Sequence, residues 1–273
     1  IRNCLAALST EEPLLTRLFQ YRFAAGSGLE GHSFGNLFLS ALSAITGNLE
    51  TAITASSRVL AVQGQVVPAT NVDVQLWAEL ENGQRIEGES NIGHAPSPIV
   101  RLGCSPERPP ALPRALEAIA NADLIVLGPG SLYTSLLPNL LVPELVSAIK
   151  RSRAPRLYIC NLMTQPGETD GLDVRGHIRA IEAQLASLGI EPRLFNAVLA
   201  QDDLPDSDLV RYYKTRGANP VHCDAEGLRS DGYDVTQAPL QGVRPTATLR
   251  HDSRSLALAV MRFYRSHRSQ NAA

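Results

Sequence analysis

The sequence predicts an α/β fold, a three-layer sandwich in which helices cover both faces of a mainly parallel sheet. The apolar run Leu124–Leu127 has no alternating polar residues, which is typical of a parallel strand buried on both faces. A glycine turn and a helix start follow this run directly. From residue 112 onward, strand and helix patterns alternate, which favours parallel strands joined by crossover helices.

Helix patterns fill the first 60 residues. The clearest begins at Phe34, with apolar residues at i, i+3, i+4, i+7, i+8 and i+11, and we expect Gly47 to end it. Pro13 suits the first turn of a shorter helix. The predicted helices are Arg2–Leu8, one opening at Pro13, one from Phe34 to Ile45, and one capped by Asn48 that runs to Leu60.

An antiparallel hairpin is predicted as an insertion at about 64–104. Apolar and polar residues alternate from Val72 to Leu80, and Asn82-Gly83 favours a type I′ turn before a second strand at Arg85–Ser90. Proline-rich coil is predicted at Pro96–Pro113.

The remaining chain alternates between strands and helices. Strands are predicted at 123–127, 156–161, 195–200 and 219–223, and helices at 112–120, 141–153, 174–188, 206–216 and 252–266. We treat the whole chain, 1–273, as a single α/β domain.

The composition argues against a protein that binds nucleic acid or a membrane surface. The 273 residues include 25 Lys+Arg and 27 Asp+Glu, so a net charge of −2 gives no basic excess for nucleic acid or a membrane surface. The four cysteines are scattered without a Cys-x-x-Cys pair. No signal peptide or spanning helix is predicted, so we expect a cytoplasmic protein.

The glycine turn after the first parallel strand is the main candidate site. Gly128 and Gly130 allow a tight turn, and Ser131 is a candidate helix N-cap. A phosphate would fit against unpaired amides at such a helix start, although the turn also needs glycine for geometry alone. It lacks the third glycine of the dinucleotide motif and the Lys-Ser/Thr of a Walker loop. The amides predicted to point outward are those of Leu132, Tyr133 and Thr134.

Gly31-His-Ser-Phe-Gly35 matches the G-x-S-x-G nucleophile elbow of serine hydrolases. The elbow requires a strand before the serine, but loop-forming residues precede Ser33. We therefore interpret Ser33 as a helix N-cap without a histidine base. His32 and Asn36 stand at the same helix start and are kept as ligand-binding candidates.

Polar residues follow the predicted strand 156–161, at the sheet edge where the glycine turn lies. Ligands of open α/β sheets bind at the carboxyl ends of the strands, although an ordinary solvated loop is the alternative. The carboxylates at 168 and 170 leave Mg²⁺ open as a cofactor. The candidates are Asn161, Thr164, Gln165, Glu168, Thr169 and Asp170.

Two further candidates lie later in the chain. Arg250, just before the last helix, has the planar fork that binds phosphate. Tyr213 offers an aromatic face for a base or sugar, with a core tyrosine as the alternative. We expect both to face the crevice above Gly128.

Seven short segments carry a resemblance to a known family. They are Ile1-Arg-Asn-Cys-Leu5, Phe19-Gln-Tyr-Arg-Phe23, Gly31-His-Ser-Phe-Gly-Asn-Leu37, Gly88-Glu-Ser-Asn-Ile92, Leu127-Gly-Pro-Gly-Ser-Leu-Tyr-Thr-Ser135, Pro138-Asn-Leu-Leu-Val-Pro143 and Cys160-Asn-Leu-Met-Thr-Gln-Pro-Gly-Glu-Thr-Asp-Gly171. Together they resemble the gluconeogenesis factor family, the YvcK-type branch of the CofD-like superfamily named for 2-phospho-L-lactate transferase. The resemblance extends from Ile1 to about Asp252.

The resemblance implies a Rossmann-like fold, a cytoplasmic location and a bound nucleotide sugar, uridine-diphosphate-N-acetylglucosamine (UDP-GlcNAc). It also implies roles in growth on gluconeogenic carbon sources and in cell shape, through peptidoglycan precursor supply. This branch has no settled catalytic activity, and a 2-phospho-L-lactate transferase-like phosphoryl-group transferase is the alternative. Asn3, in the first segment, joins the ligand-binding candidates, and a homodimer is left open.

The chain departs from the family pattern at its start. The family begins with a strand, a Gly-Gly-Gly-Thr-Gly turn and two further loops before the segment that this chain has at residues 1–5. We therefore expect a first βα unit to be missing here. Its glycine-rich phosphate loop would be missing with it.

Overall fold

The computed structural model describes residues 1–9, 13–202, 207–243 and 249–271. The chain divides into two compact units, each described by itself below. The first contains Ile1–Asp73 and Ala111–Ala115, and the second contains Val74–Pro110 and Leu116–Ala273. The single domain expected from the sequence stays a prediction.

The first unit is helical, as the sequence predicts. Leu5, Phe19 and Ile53 form its buried core, with at most 1% of each residue exposed. Gly47 ends the third helix in the left-handed conformation, φ 87°, as expected of a glycine C-cap. The helices are α1 (Arg2–Leu8), α2 (Pro13–Gln20), α3 (Phe34–Thr46) and α4 (Leu49–Val59).

The second unit opens with a three-stranded antiparallel sheet. Its strands and the helical turn after the second of them are β1 (Gln75–Leu80), β2 (Arg85–Glu87), α5 (Glu89–Ile92) and β3 (Ile99–Ser105), in the sheet order β2-β1-β3. The hairpin of β1 and β2 was predicted. The third strand was not, because its segment was read as proline-rich coil.

The hairpin turn differs from the predicted type I′. That type needs a positive φ at both central residues, whereas here Gly83 has φ 80° and Asn82 does not share it. The N–H of Gly83 donates to the carbonyl of Leu80 at 2.9 Å, and Leu80 N–H donates to Gln84 O. The loop therefore has three residues, a turn followed by a left-handed glycine, which relieves the asparagine of strain.

Gln184 protects the outer edge of β3. Its side-chain amide accepts from the N–H of Leu102 at 2.8 Å and donates to the carbonyl of the same residue at 2.9 Å. These are the bonds that a neighbouring strand would make. The buried side-chain amide of Gln184 therefore satisfies the backbone groups of Leu102. An open strand edge at this position could pair with another chain.

The parallel sheet follows the antiparallel one, and its strand order is β4-β5-β6-β7. One turn of π-helix, Leu132–Leu136, directly follows the glycine turn. The remaining elements are α6 (Pro113–Ala120), β4 (Ile125–Leu127), α7 (Leu137–Leu140), α8 (Pro143–Arg151), β5 (Arg156–Ile159), α9 (Val174–Ser187), β6 (Ala197–Gln201), α10 (Ser207–Lys214), α11 (Ala225–Ser230), β7 (Asp234–Ala238), β8 (Gln241–Val243), β9 (Leu249–His251) and α12 (Ser253–Asn271).

The prediction of a strand at 219–223 is wrong. That segment lies beside the chain after β5, where Met163 and Pro220 form an isolated antiparallel bridge. The fourth parallel strand is β7, which was missed. It is the last strand in the sheet order and alternates between exposed and buried positions, so it lacks the continuous apolar run of a central strand.

Helices cover both faces of the parallel sheet. Tyr158 and Val198 point to one face and share a buried cluster with Ile181 of α9. Leu157 and Leu199 point to the other face and share a cluster with Phe263 of α12. This alternation confirms the predicted α/β sandwich, because each strand contributes residues to two separate apolar layers.

Among the described residues, no single helix has the length and apolar character needed to cross a membrane, and one bent pair, Leu132–Leu140 with Pro143–Arg151, passes that test by length and composition.

We predict that Gly103→Ala destabilises the second unit by about 1–3 kcal/mol, the usual cost of overpacking. Trp77 lies opposite Gly103 on the neighbouring strand, and an added Cβ would overlap its buried indole ring. Gly93→Ala is the control, because its Cβ would meet Glu168 Oε1 at 3.6 Å, an ordinary contact. Urea denaturation measures both variants, and equal free energies of unfolding would contradict the prediction.

The burial of His177 predicts that the free energy of unfolding depends on pH. His177 is fully buried on α9, its Nδ1 lies 2.8 Å from the carbonyl of Asp173, and its Nε2 has no partner among the described residues. Burial lowers the pKa of His177 below the usual 6.5. The unfolded chain therefore binds a proton before the folded one does. The stability from the neutral ring is complete above pH 6.5 and falls as the pH drops toward the folded pKa.

His177→Asn keeps a donor for the carbonyl of Asp173 but does not titrate. We expect the free energy of unfolding of this variant to change less than that of the unmodified protein between pH 6.5 and 5. Denaturant titrations at several pH values measure the difference. Burial also lowers the pKa of His251. Because both proteins contain His251, its contribution does not affect the difference between their pH profiles. Parallel pH profiles would refute the assignment to His177.

Candidate functional site

The glycine turn lies at the carboxyl end of β4, where the sequence predicts it. Gly128 has φ 81°, and a Cβ on it would come within 2.8 Å of the carbonyl oxygen of Ile159 in β5. Both the left-handed backbone and this close approach require glycine at this position. The turn is therefore pressed against the neighbouring strand.

Asn161 fastens the turn to the chain that follows β5. Its side-chain amide donates to the carbonyl of Gly130 at 2.9 Å and accepts from the N–H of Gly130 at 3.2 Å. This pair of bonds resembles one rung of a sheet. Asn161 thus continues the pairing of the two strands beyond their ends.

The carboxylate of Glu168 lies at the centre of this edge, in a residue that is 9% exposed. Its Oε2 accepts from Ser131 Oγ at 2.5 Å and from the N–H of Tyr133 at 3.3 Å. Its Oε1 accepts a longer bond of 3.4 Å from Thr134 Oγ1. Donors of the glycine turn therefore converge on one carboxylate from a loop that is 37 residues away in sequence.

The prediction of unpaired amides after the turn is wrong for two of the three residues. Tyr133 N–H donates to Glu168, and Thr134 N–H donates to Ser131 Oγ at 3.1 Å. The physical reason is that an anion already lies there, supplied by the chain itself. A phosphate would meet a negative charge at this position.

Tyr133 adds a buried donor behind the turn. Its hydroxyl donates to the carbonyl of Ile99 in β3 at 3.2 Å. Burial first, and the charge of Glu168 second, raise the pKa of Tyr133 to about 12. The phenol therefore stays protonated and links the glycine turn to the antiparallel sheet.

The loop after β5 is ordered by its own hydrogen bonds. Thr169 Oγ1 accepts from the N–H of Gln165 at 2.9 Å, and Asp170 Oδ2 accepts from the N–H of Gly167 at 2.7 Å. Thr164 is paired with Asn219, which donates its N–H to Thr164 Oγ1 at 2.8 Å. These contacts give the polar loop residues structural partners, and ligand binding by them stays a prediction.

The strand β9 lies at the same edge of the sheet. His251 Nε2 lies 3.2 Å from the carbonyl oxygen of Cys160, the residue after β5. Tyr213 Oη accepts from the N–H of Leu249 at 2.8 Å, and its ring packs in the apolar cluster of α12. Arg250, between these two anchored residues, is exposed and has no side-chain partner among the described residues.

Four predicted site residues belong to the first unit. Ser33 is fully buried and caps α3, where its Oγ accepts from Asn36 N–H at 3.3 Å. Its capping role is confirmed, and no histidine is bonded to its Oγ among the described residues. Asn3 accepts side-chain bonds from Arg2, and His32 is exposed. Binding of a ligand by Asn3, His32 and Asn36 stays a prediction.

The two carboxylates offered for Mg²⁺ already accept hydrogen bonds from the chain. Glu168 accepts three bonds from the turn, and Asp170 accepts from the N–H of Gly167. In the part of the chain that the structure describes, no group of three or more His, Cys, Asp or Glu residues is arranged to hold a metal. Binding of Mg²⁺ by these residues stays a prediction.

Sequence reasoning missed the part played by Thr134. Its hydroxyl and N–H complete the set of groups around Ser131 and Glu168. A signal was present, since Ser131 and Thr134 stand at the N-cap and N3 positions of a helix start. The partner Glu168 could not be found from this spacing.

A family model described as "2-phospho-L-lactate transferase CofD" matches residues 1–241. The "Gluconeogenesis factor" of Bacillus subtilis is 43% identical over 257 residues, covering 94% of this chain and 79% of that protein. The "Putative gluconeogenesis factor" of Nostoc sp. is 54% identical over 264 residues, covering 97% of this chain. The chain spans 57% of the Nostoc protein.

Solved structures agree with these relatives. A crystal structure of a UPF0052 family protein from Bacillus halodurans is 41% identical to this chain, with a TM-score of 0.87. The match covers 95% of this chain and 82% of that one. The fold and the sequence matches lead to one conclusion: the chain belongs to the 2-phospho-L-lactate transferase CofD family, and its relatives in that family include gluconeogenesis factors.

Proposed function

We propose that the protein is a cytoplasmic gluconeogenesis factor that binds a nucleotide sugar, UDP-GlcNAc, at the carboxyl edge of its parallel sheet. In this role it supports growth on gluconeogenic carbon sources and cell shape, through control of peptidoglycan precursor supply. The names of the relatives support the first part, and the seven family-like segments support the second.

One observation supports the proposal: the strand that carries an unpaired cation, β9, is anchored at the edge where the glycine turn holds a carboxylate. Glu168 is held by the glycine turn, while Arg250 lies on β9, which His251 ties to the residue after β5. A nucleotide sugar has the matching pattern, with an anionic diphosphate between a base and a hydroxyl-bearing sugar. Arg250 is the group that binds the diphosphate in this proposal.

Glu168 faces the sugar in the same proposal. Repulsion excludes phosphate from the carboxylate, but sugar hydroxyls and an acetamido N–H are donors. Oε1 makes one long bond of 3.4 Å, so it retains capacity to accept another donor. The absence of a side chain on Gly93 leaves space beside this oxygen, since a Cβ there would lie at 3.6 Å.

The role proposed for Tyr213 is positioning. Its hydroxyl holds the N–H of Leu249, which adjoins Arg250, and its ring is partly buried among apolar residues. Stacking on a base requires an accessible face, so a contact with uracil is the weaker of the two roles.

A phosphoryl-group transferase is the second candidate, because the matching family model is described by that activity. In that case a ligand should be consumed rather than returned. Incubation with UDP-GlcNAc, followed by chromatography of the nucleotide, separates the two functions. With an alcohol acceptor present, recovery of the unchanged nucleotide sugar supports the binding protein. Release of UMP, with the sugar phosphate transferred to the acceptor hydroxyl, supports the transferase.

We predict that Arg250→Ala weakens UDP-GlcNAc binding at least about tenfold, roughly 1.4 kcal/mol, in isothermal titration. The reason is the loss of the guanidinium that would pair with the diphosphate. Arg262→Ala, an exposed arginine on α12, is the matched control and should bind normally. Equal affinities of both variants and the unmodified protein would remove Arg250 from the site.

Glu168→Gln tests the sugar end of the site. We expect it to weaken UDP-GlcNAc about tenfold while UDP changes little, because UDP lacks the sugar donors that the carboxylate accepts. The loss of a charged acceptor at the turn should also lower the melting temperature. Glu117→Gln makes the same charge change at an exposed residue of α6 and is the control.

The two ligands separate the possible outcomes. A selective loss of UDP-GlcNAc supports the role of Glu168 in recognition. An equal loss for UDP and UDP-GlcNAc would mean that Glu168 acts on the turn alone. If the unmodified protein binds neither ligand, the proposed function itself is wrong.

A further inference from the structure

A pocket lies within the first unit. Its volume is about 400 Å³, in the range of small-molecule sites. The C-terminal half of α4 from Thr54, the chain from Ala61 to Val66, and Arg114 line this open pocket. None of the residues assigned above to the nucleotide sugar lines this pocket.

The charge of the pocket is positive. Arg58 and Arg114 line it, whereas none of its lining residues is an aspartate or glutamate. Glu50, one turn before Thr54 on α4, lies 3.4 Å from Arg114 through Oε1 and NH1. This carboxylate offsets one of the two cations, so the lining has a net positive charge that favours an anion.

Arg114 is held in place before any ligand arrives. Its NH1 donates to Thr54 Oγ1 at 3.3 Å as well as to Glu50, and its NH2 donates to Gln65 Oε1 at 3.1 Å. A guanidinium has five N–H donors, so these bonds leave others for a ligand. The ordering entropy of this side chain is therefore largely lost on folding rather than on binding.

Arg58 differs from Arg114 because its guanidinium has no side-chain partner among the described residues. It stands in the last turn of α4 and is exposed. A cation that lines a concave surface without a counter-charge is available to an incoming anion. Two guanidinium groups, one fixed and one free, thus share the pocket.

The backbone of the wall is specifically shaped. Ala61 has φ 44°, a left-handed conformation that costs a non-glycine residue of order 1–3 kcal/mol. Hydrogen bonds maintain it, since Val62 N–H donates to Ser57 O at 2.9 Å and Gln63 N–H donates to Leu8 O at 2.8 Å. Strained backbone of this kind occurs often at ligand sites, where surrounding contacts hold it.

We propose that this pocket binds a small organic anion whose carboxylate or phosphate lies between Arg58 and Arg114. The apolar side chains of Val62 and Val66 then face the body of the ligand. Planar guanidinium groups bind both oxyanions through paired N–H donors, so the shared chemistry is an oxyanion on a compact carbon body. The site is separate from the proposed nucleotide-sugar function and does not depend on it.

Arg58→Gln is the decisive variant. It removes the free cation but breaks no side-chain contact recorded within the described residues, so the melting temperature should not change. Isothermal titration with glycerol 3-phosphate and with malonate tests the phosphate and carboxylate forms separately. We expect at least one of them to bind the unmodified protein with a Kd of about 1 mM or tighter. Binding of that probe should weaken about tenfold in the variant.

Arg17→Gln is the control, with the same loss of charge on an exposed residue of α2. It should retain the affinity of the unmodified protein for the probe. Failure of both probes to bind the unmodified protein would overturn the proposal. Equal weakening in Arg58→Gln and Arg17→Gln would also overturn it, because it would reveal attraction to the overall charge rather than to the pocket.

Discussion

The carboxylate of Glu168 joins the two loops that follow β4 and β5, and the edge of the parallel sheet depends on it. Ser131, Tyr133 and Thr134 all direct donors to it within 3.4 Å, in a residue that is 9% exposed. A buried carboxylate is stable only with such donors, and the donors in turn lose their acceptor if it is removed. Asn161 fastens the same turn from its other side, so the glycine turn is fixed by two side chains of one loop.

This arrangement changes the chemistry of the helix start. Many α/β proteins leave the amides after a glycine turn to bind a ligand phosphate. Here the short helical turn begins with its amides bonded within the chain, to Glu168 and to Ser131. The positive charge that a phosphate needs must come from another element. In the proposed function Arg250 on β9 supplies that charge, and Tyr213 and His251 hold β9 on either side of it.

Local sequence patterns predicted much of the fold but few of the contacts at the site. The caps at Ser33 and Asn48 and the periodicity of α3 are short-range signals, and the structure contains each of them. The run before Gly128 forms β4 as predicted, but the expected burial on both faces is wrong, because β4 lies at an edge of the sheet and Val126 is 39% exposed. The strand β7 was not predicted because its residues Asp234–Ala238 are mostly polar and only Val235 is buried, so it has no apolar run. The strand β3 was not predicted because prolines flank it, which is typical of coil.

The partner of Ser131 illustrates why the site was harder to predict than the fold. Glu168 and Ser131 meet across 37 residues, and the contact depends on the register of β4 against β5 and on the path of a loop. Spacing along the chain carries no information on such a meeting. The sequence did indicate that both residues lie near the carboxyl ends of neighbouring strands. It did not indicate that the carboxylate of Glu168 would occupy the helix start that Ser131 caps.

The described arginines differ in whether a carboxylate of the chain pairs with them. Arg101 donates two bonds to Glu79, and Arg175 pairs with two aspartates, so both serve the fold without a ligand. Arg58 and Arg250 have no such side-chain partner among the described residues. An unpaired exposed cation costs the fold little, because water solvates it, and it can transfer to an anion without breaking an internal contact. Arg17 and Arg262 are exposed in the same way, so an unpaired charge does not by itself mark a ligand site, and the pocket around Arg58 is what distinguishes that residue from them.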